Sequence, residues 1–179
     1  MRIIGGKNNG LILRPPQGLP VRPTTDIAKE SLFNILDNRI DISSLSVLDL
    51  FAGTGNISFE FCSREAASVM AVDNHAKCIG YIKEQKKVLG YEQLNPVKKD
   101  VFSFLKSTEE KFDLIFADPP YALPGIINIP ALVNERRLLN EGGLLIIEHH
   151  RQLNLKSVVT FANERIYGQS VFSFFNPVE

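Results

Sequence analysis

A chain of 179 residues with 44% hydrophobic content has the length for one domain around a sizeable core. Twenty basic side chains balance twenty acidic ones, so bulk charge offers no general attraction to nucleic acid or membrane. Cys62 and Cys78 lack CxxC spacing and histidine partners, which speaks against a disulfide framework or zinc site; with no signal pattern and no apolar run near the ~18 residues of a membrane helix, a soluble cytoplasmic protein is expected.

From Met1 to Thr25 the charged side chains are Arg2, Lys7, Arg14 and Arg22, with no acid before Asp26, so the amino-terminal segment is locally cationic. Ile3-Ile4 and Leu11-Ile12-Leu13 flank a loop rich in Gly and Asn, which predicts a small hairpin over Met1 to Arg14. Five breakers, Pro15, Pro16, Gly18, Pro20 and Pro23, form a connector. Thr24, Thr25 and Asp26 then offer cap oxygens for a helix through about Leu36, with Ile27, Ala28, Leu32, Phe33, Ile35 and Leu36 as its buried face.

Beyond Ser46, strands alternate with helices, the pattern of a parallel sheet with helices on both faces. The strands are expected at Val47 to Phe51, Val69 to Val72, Asn95 to Lys98 and Phe112 to Ala117. A fifth, Leu144 to Glu148, follows a Gly142-Gly143 turn. Helices are expected over Ile57 to Glu65, His75 to Leu89 and Pro130 to Leu138, the second with Ile79, Ile82 and Leu89 inward and Lys83, Lys86 and Lys87 on a solvated face. Ser157 to Phe161 and Tyr167 to Phe175 alternate as a terminal antiparallel pair, in which Phe172, Phe174 and Phe175 pack the sheet edge. His149 and His150 read as polar loop groups after the fifth strand, since adjacent strand positions face opposite ways and cannot share a metal.

Chemistry concentrates at strand ends. Asp118-Pro119-Pro120-Tyr121 follows a strand directly, and its two prolines remove backbone donors and stiffen the turn, which suits a flat polar substrate group. Phe51-Ala52-Gly53-Thr54-Gly55-Asn56 is a glycine turn opening a helix. The third glycine of a dinucleotide fingerprint would fall at Ser58, which disfavours an NAD-dependent oxidoreductase. Asp49, Asp73, Asp100 and Asp118 lie in or at the ends of successive strands, a regularity that helix capping does not require and that predicts one shared crevice.

These stretches resemble the motifs of class I methyltransferases that use S-adenosylmethionine. With Arg2-Ile3-Ile4-Gly5-Gly6-Lys7, Arg22-Pro23-Thr24-Thr25-Asp26 and Phe33-Asn34-Ile35-Leu36, nearly the full chain resembles the bacterial family that methylates N2 of a guanine in 16S ribosomal RNA. The resemblance implies an α/β, Rossmann-like fold: a mostly parallel seven-stranded sheet, a terminal antiparallel hairpin, and a small amino-terminal hairpin extension. It implies one domain, with residues 1–23 as hairpin and RNA arm and 24–179 as catalytic core. It implies S-adenosylmethionine against Asp49, Phe51, Ala52, Gly53, Thr54, Gly55, Asp73, Asn74, Asp100 and Val101, with no metal. It places Asp118, Pro119, Pro120 and Tyr121 at the substrate base, and Arg2, Lys7, Arg14, Arg22 and Thr24 against 16S rRNA or a small-subunit particle, in a monomer. One departure is that Asn8, Asn9, Gly10 and Leu11 follow Lys7, where the family commonly shows further basic residues. The same turn also suits adenine N6 or a protein glutamine amide, and a non-catalytic RNA-binding protein is the rival of another class.

Overall fold

The computed structural model describes residues 1–19 and 26–177. Seven strands, β1 (Ser46–Leu50), β2 (Ser68–Asp73), β3 (Leu94–Lys98), β4 (Phe112–Ala117), β5 (Leu139–His150), β6 (Phe161–Tyr167) and β7 (Ser170–Phe175), form one sheet in the order β3-β2-β1-β4-β5-β7-β6. The first five run parallel, and β7 is antiparallel to both β5 and β6. The expected Rossmann-like arrangement is the observed one. Because the chain leaves β1 outward through β2 and β3 and returns to β4 on β1's other side, the strand order reverses between β1 and β4, where such sheets open a crevice at their carboxyl ends.

The strands read as continuous apolar runs because both faces are covered. Val47, Val69, Ala71, Leu114 and Phe116 share one core with helices α1 (Asp26–Asp37), α2 (Asn56–Ser63) and α3 (Ala76–Leu89). Leu48, Leu50, Val72, Ile115 and Ala117 share the other with α4 (Val101–Ser107) and α5 (Asn128–Glu135). Ile3 and Leu13 enter the first core, so the amino-terminal segment packs as part of the body. It pairs through a single antiparallel bridge, Arg2 with Ile12, rather than two regular strands, around a 3-10 turn at Gly6–Asn8.

Several local expectations are corrected. Ile27 is 73% exposed, because it lies nine residues, about two and a half turns, before the buried Leu36. The stripe it was expected to join is completed by Lys29, which is fully buried. Helix α4 has no counterpart among the expected elements; it is one short segment, capped by the Asp100 carboxylate on the Ser103 amide. Gly142-Gly143 is not a turn ahead of a strand but a bulge inside β5. Opposite Phe112 and Leu114 of β4, β5 runs from Leu139 to Leu144, and Gly142 adopts φ +71. α5 begins at Asn128 and ends at Glu135, closing earlier than Leu138, with Arg137 at φ +51.

The terminal pair is Phe161–Tyr167 with Ser170–Phe175, not Ser157 to Phe161 with Tyr167 to Phe175. Gly168 at φ +63 supplies a two-residue connection between Tyr167 and Ser170. Phe172, Phe174 and Phe175 therefore do not pack an edge. β7 lies between β5 and β6, and all three rings are buried. His149 and His150 belong to β5 itself. Among the described residues no helix is long and apolar enough to cross a membrane.

Candidate active site

A cavity of about 690 Å3 opens at the carboxyl ends of β1, β2 and β4, and Asp49, Asp73, Asp100 and Asp118 all line it, as their strand-end spacing predicts. Phe51, Ala52, Gly53, Thr54, Asn74, Val101, Pro119, Pro120 and Tyr121 line it too. Gly55 lies just behind the wall. It sits at φ +82, and a Cβ there would stand 2.9 Å from the Phe59 ring and 3.1 Å from Ile82, so both backbone and space demand glycine. Phe51 carries the adjoining strain, a non-glycine residue at φ 59.

Asp73 holds this turn in place. One of its carboxylate oxygens accepts from the Gly53 amide at 2.8 Å and the other from the His75 amide at 2.7 Å. Each oxygen keeps a second acceptor direction, so a diol could be bound without breaking either bond. His75 is the residue before α3; its Nδ1 is buried with no hydrogen-bond partner among the described residues, and the residue lines the cavity beside Asp73. Asp100 lies at the exposed rim, and the Ser103 amide and hydroxyl lower its pKa.

Asp49 lies deeper. It is 2% exposed, accepts from the Ser58 hydroxyl, and burial pushes its pKa up to about 7 despite that bond. Ser58, the residue that breaks the dinucleotide fingerprint, is thus the Asp49 partner. In the folded protein Asp49 keeps its proton between 3.8 and about 7, where the unfolded chain has lost it. The folded state then binds more protons, so stability falls as pH rises through that window. Asp49→Asn is expected to match wild type near pH 4 and to exceed it above neutrality, by at most about 4 kcal/mol. Thermal unfolding across pH checks this, and parallel pH profiles for the two proteins would contradict it.

The turn that follows β4 is closed by the Leu123 amide on the Pro120 carbonyl at 2.8 Å, and the Asp118 amide reaches the Leu50 carbonyl of β1 at 3.4 Å. Pro119 is buried, while Pro120 and Tyr121 face outward at the mouth. The cationic segment is only partly at the site. Arg14 is exposed and adjoins Pro15, which lines the cavity, and Arg2 is exposed with its carbonyl bonded to the Lys29 ammonium. Lys7 is not brought to the cleft: it lies over the Tyr91 ring, 5.1 Å from its centroid, in a 3-10 turn docked on Ser63. That is the far end of α2 from the glycine turn, about 12 Å away along an eight-residue helix. Arg22 and Thr24 lie outside the described residues.

Met1, Pro15, Asn56, Ile57, His75, Cys78, Phe102, Phe116 and Leu123 complete the lining without having been singled out as site residues in the sequence. Met1 arrives by packing of the amino-terminal segment, its sulfur 3.8 Å from the Thr54 hydroxyl. Cys78 follows His75 by three positions, one turn on, a spacing that could have marked both. Behind the wall, Lys29 Nζ donates to Asn56 Oδ1 at 3.0 Å and lies 3.3 Å from Glu60, both partners on α2. Among the described residues no group of three or more His, Cys, Asp or Glu is arranged to hold a metal ion.

A reversal-point cleft with a glycine turn, an acid ending β2 and an acid-proline-proline-aromatic turn after β4 belongs to a class I, S-adenosylmethionine-dependent methyltransferase. The model of the family described as conserved hypothetical protein 95 matches residues 1–176, and the chain belongs to that family. A Bacillus subtilis protein provisionally named as the rRNA methyltransferase YlbH is 34% identical, covering 89% of this chain and 88% of its own. Ribosomal RNA small subunit methyltransferase D of Escherichia coli K12 is 27% identical over 98% of this chain and 89% of its own. A solved structure, a hypothetical protein of Thermus thermophilus, superposes with TM-score 0.86 at 26% identity, over 99% of each chain.

Proposed function

We propose that this protein transfers a methyl group from S-adenosylmethionine to the exocyclic N2 amine of a guanine in 16S ribosomal RNA. The observation that carries the proposal is that Asp118-Pro119-Pro120-Tyr121 lines the same cavity as Asp73 and the glycine turn. The small-subunit rRNA names of the relatives support the choice of acceptor. The residues present suit the cofactor: Asp73 retains acceptor directions for a ribose diol, the buried His75 Nδ1 has no partner among the described residues, and the glycine turn lets a ligand approach the backbone. Asp100 and Val101 would border the adenine, and Ala52 to Gly55 the methionine portion. Bound S-adenosylmethionine supplies an electrophilic methyl group.

The chain's own task is positioning. The Asp118 carboxylate and the Pro119 carbonyl would accept the two hydrogens of the amine, drawing nitrogen toward tetrahedral geometry and aiming its lone pair into the cleft. The carboxylate can hold the proton released as the new N–C bond forms. Orientation of this kind supplies roughly 7 to 11 kcal/mol of a barrier, so no side-chain nucleophile is needed, and the buried thiols of Cys62 and Cys78, raised by burial to about 12 and about 11, take no part. Tyr121 would stack on the base, and because a paired guanine hides N2, the target would be unpaired or flipped out.

Arg14 would hold a phosphate beside the cleft. Arg14→Ala is expected to reduce the slope of log affinity against log salt by about 1, measured by RNA binding over a salt series. An unchanged slope would remove Arg14 from the interface. The proposal itself is tested by offering labelled S-adenosylmethionine with naked 16S RNA, small subunits, DNA or release factor. Label in the RNA or the subunit is expected, and label confined to DNA or release factor would overturn it.

A further inference from the structure

We infer that His150 is a positioning residue for substrate: with Ser170 it forms a cross-strand clamp that sets the plane of the Tyr121 ring at the mouth of the cleft. The inference rests on Tyr121 facing the base, as proposed above. His150 of β5 and Ser170 of β7 are register partners, directly opposite each other, and Tyr121 bridges that one pair. Its ring meets the His150 ring edge-on, centroids 5.1 Å apart at 65°, and its hydroxyl lies 3.4 Å from the Ser170 hydroxyl. Edge-to-face contact fixes a ring's tilt, and the hydroxyl contact fixes its azimuth.

The clamp is itself braced. The His150 carbonyl accepts from His149 Nδ1 at 3.0 Å and from the Leu153 amide at 2.9 Å. Since a carbonyl can only accept, His149 carries its proton on Nδ1, and its Nε2 therefore accepts from the Ser173 hydroxyl of β7 at 2.8 Å. Burial holds the His149 pKa below its ordinary value, which keeps the ring in that neutral form. The His150 ring is oriented in turn by the Gln152 amide on its Nδ1 at 3.3 Å, and the Arg151 amide ties the strand end to Gln169 at 3.0 Å. The adjacent histidines thus divide the work: one faces the core and locks the end of β5, the other faces Tyr121 and holds its ring. A stacking platform fixed before substrate arrives loses less rotamer freedom on binding.

The test uses the full chain labelled with 3-fluorotyrosine, whose four tyrosines give few fluorine resonances, Tyr121 being assigned by its loss in Tyr121→Phe. His150→Ala is expected to move the Tyr121 resonance and to raise the half-saturating concentration of the methyl acceptor about 2- to 12-fold, with kcat and cofactor affinity unchanged. His150→Phe, which retains a ring edge, should restore both. Ser170→Ala should shift the same resonance and give a smaller rise, and stands as the second variant if His150→Ala does not fold. A Tyr121 resonance indifferent to His150, or one that moves with no change in half-saturation, would overturn the inference. The same shift and rescue with label in an acceptor other than guanine would uphold the clamp while overturning the choice of base.

Discussion

Asp118→Ala is expected to lower single-turnover methyl transfer by about 10²- to 10³-fold while leaving the fold and cofactor affinity near wild type. The size follows from what the carboxylate does. Guanine N2 is weakly nucleophilic because its lone pair is delocalised into the ring, and only an acceptor fixed beside it can localise that pair and take its proton. Asp118 stands on the carboxyl end of β4, at the central reversal point, with its backbone tied to β1 and two prolines after it, so its position varies little. Alanine removes the acceptor and keeps the turn. Asp118→Asn should recover only part of the loss, since an amide can accept one hydrogen bond but cannot hold the released proton. Rapid-quench transfer from a preformed cofactor complex measures the effect, and near-normal transfer by a folded, loaded Asp118→Ala would remove Asp118 from the chemistry.

Glu60→Ala is expected to destabilise the protein by about 3 to 5 kcal/mol, a fall of about 6 to 20 °C in Tm. Glu60 and Lys29 have fully buried side chains. One Glu60 oxygen serves Lys29 at 3.3 Å and the Ile4 amide at 2.9 Å, and the other serves Arg64 at 2.9 Å. Its loss strands a buried ammonium and a backbone donor together, and desolvation already pulls the Lys29 pKa down. The double replacement Lys29→Met with Glu60→Leu should lie much closer to wild type in stability, because it leaves no uncompensated charge. A Glu60→Ala Tm within about 2 °C of wild type would show that the pair carries no such burden. The pair also joins the amino-terminal segment, through the Arg2 carbonyl and Ile4 amide, to Asn56 at the start of α2. Acceptor affinity should therefore weaken in Glu60→Ala even at temperatures where it is folded.

β4 and its turn are legible in the sequence to the residue, because Leu114 to Ala117 is apolar on both faces and two prolines follow Asp118, signals that need no partner to be read. The four acids are legible as a set for a related reason: each sits near or just beyond the carboxyl end of a strand in a parallel sheet, so topology alone sends them to one edge. What is not legible depends on distant packing. Lys29 reads as a surface cation until Glu60 and the Arg2 carbonyl close around it, and Ile27 reads as core because its apolar character says nothing about which side of α1 meets the body. Met1 and Pro15 reach the cavity by docking of a segment about forty residues upstream of the glycine turn, which leaves no periodic trace. The histidines after Glu148 look like loop polarity because a strand normally ends where apolar residues stop, yet pairing with β7 carries β5 two residues further. The same pairing creates the contacts that hold Tyr121.

That this cleft presents a guanine amine to the methyl donor is decided by the identity of the modified nucleoside. The protein is incubated with labelled S-adenosylmethionine and 16S RNA or small subunits, the product RNA is digested to nucleosides, and these are separated and weighed. N2-methylguanosine as the labelled product, lost in Asp118→Ala, is the predicted result. Label in N6-methyladenosine, or a methylated nucleoside whose formation is indifferent to Asp118, would contradict it.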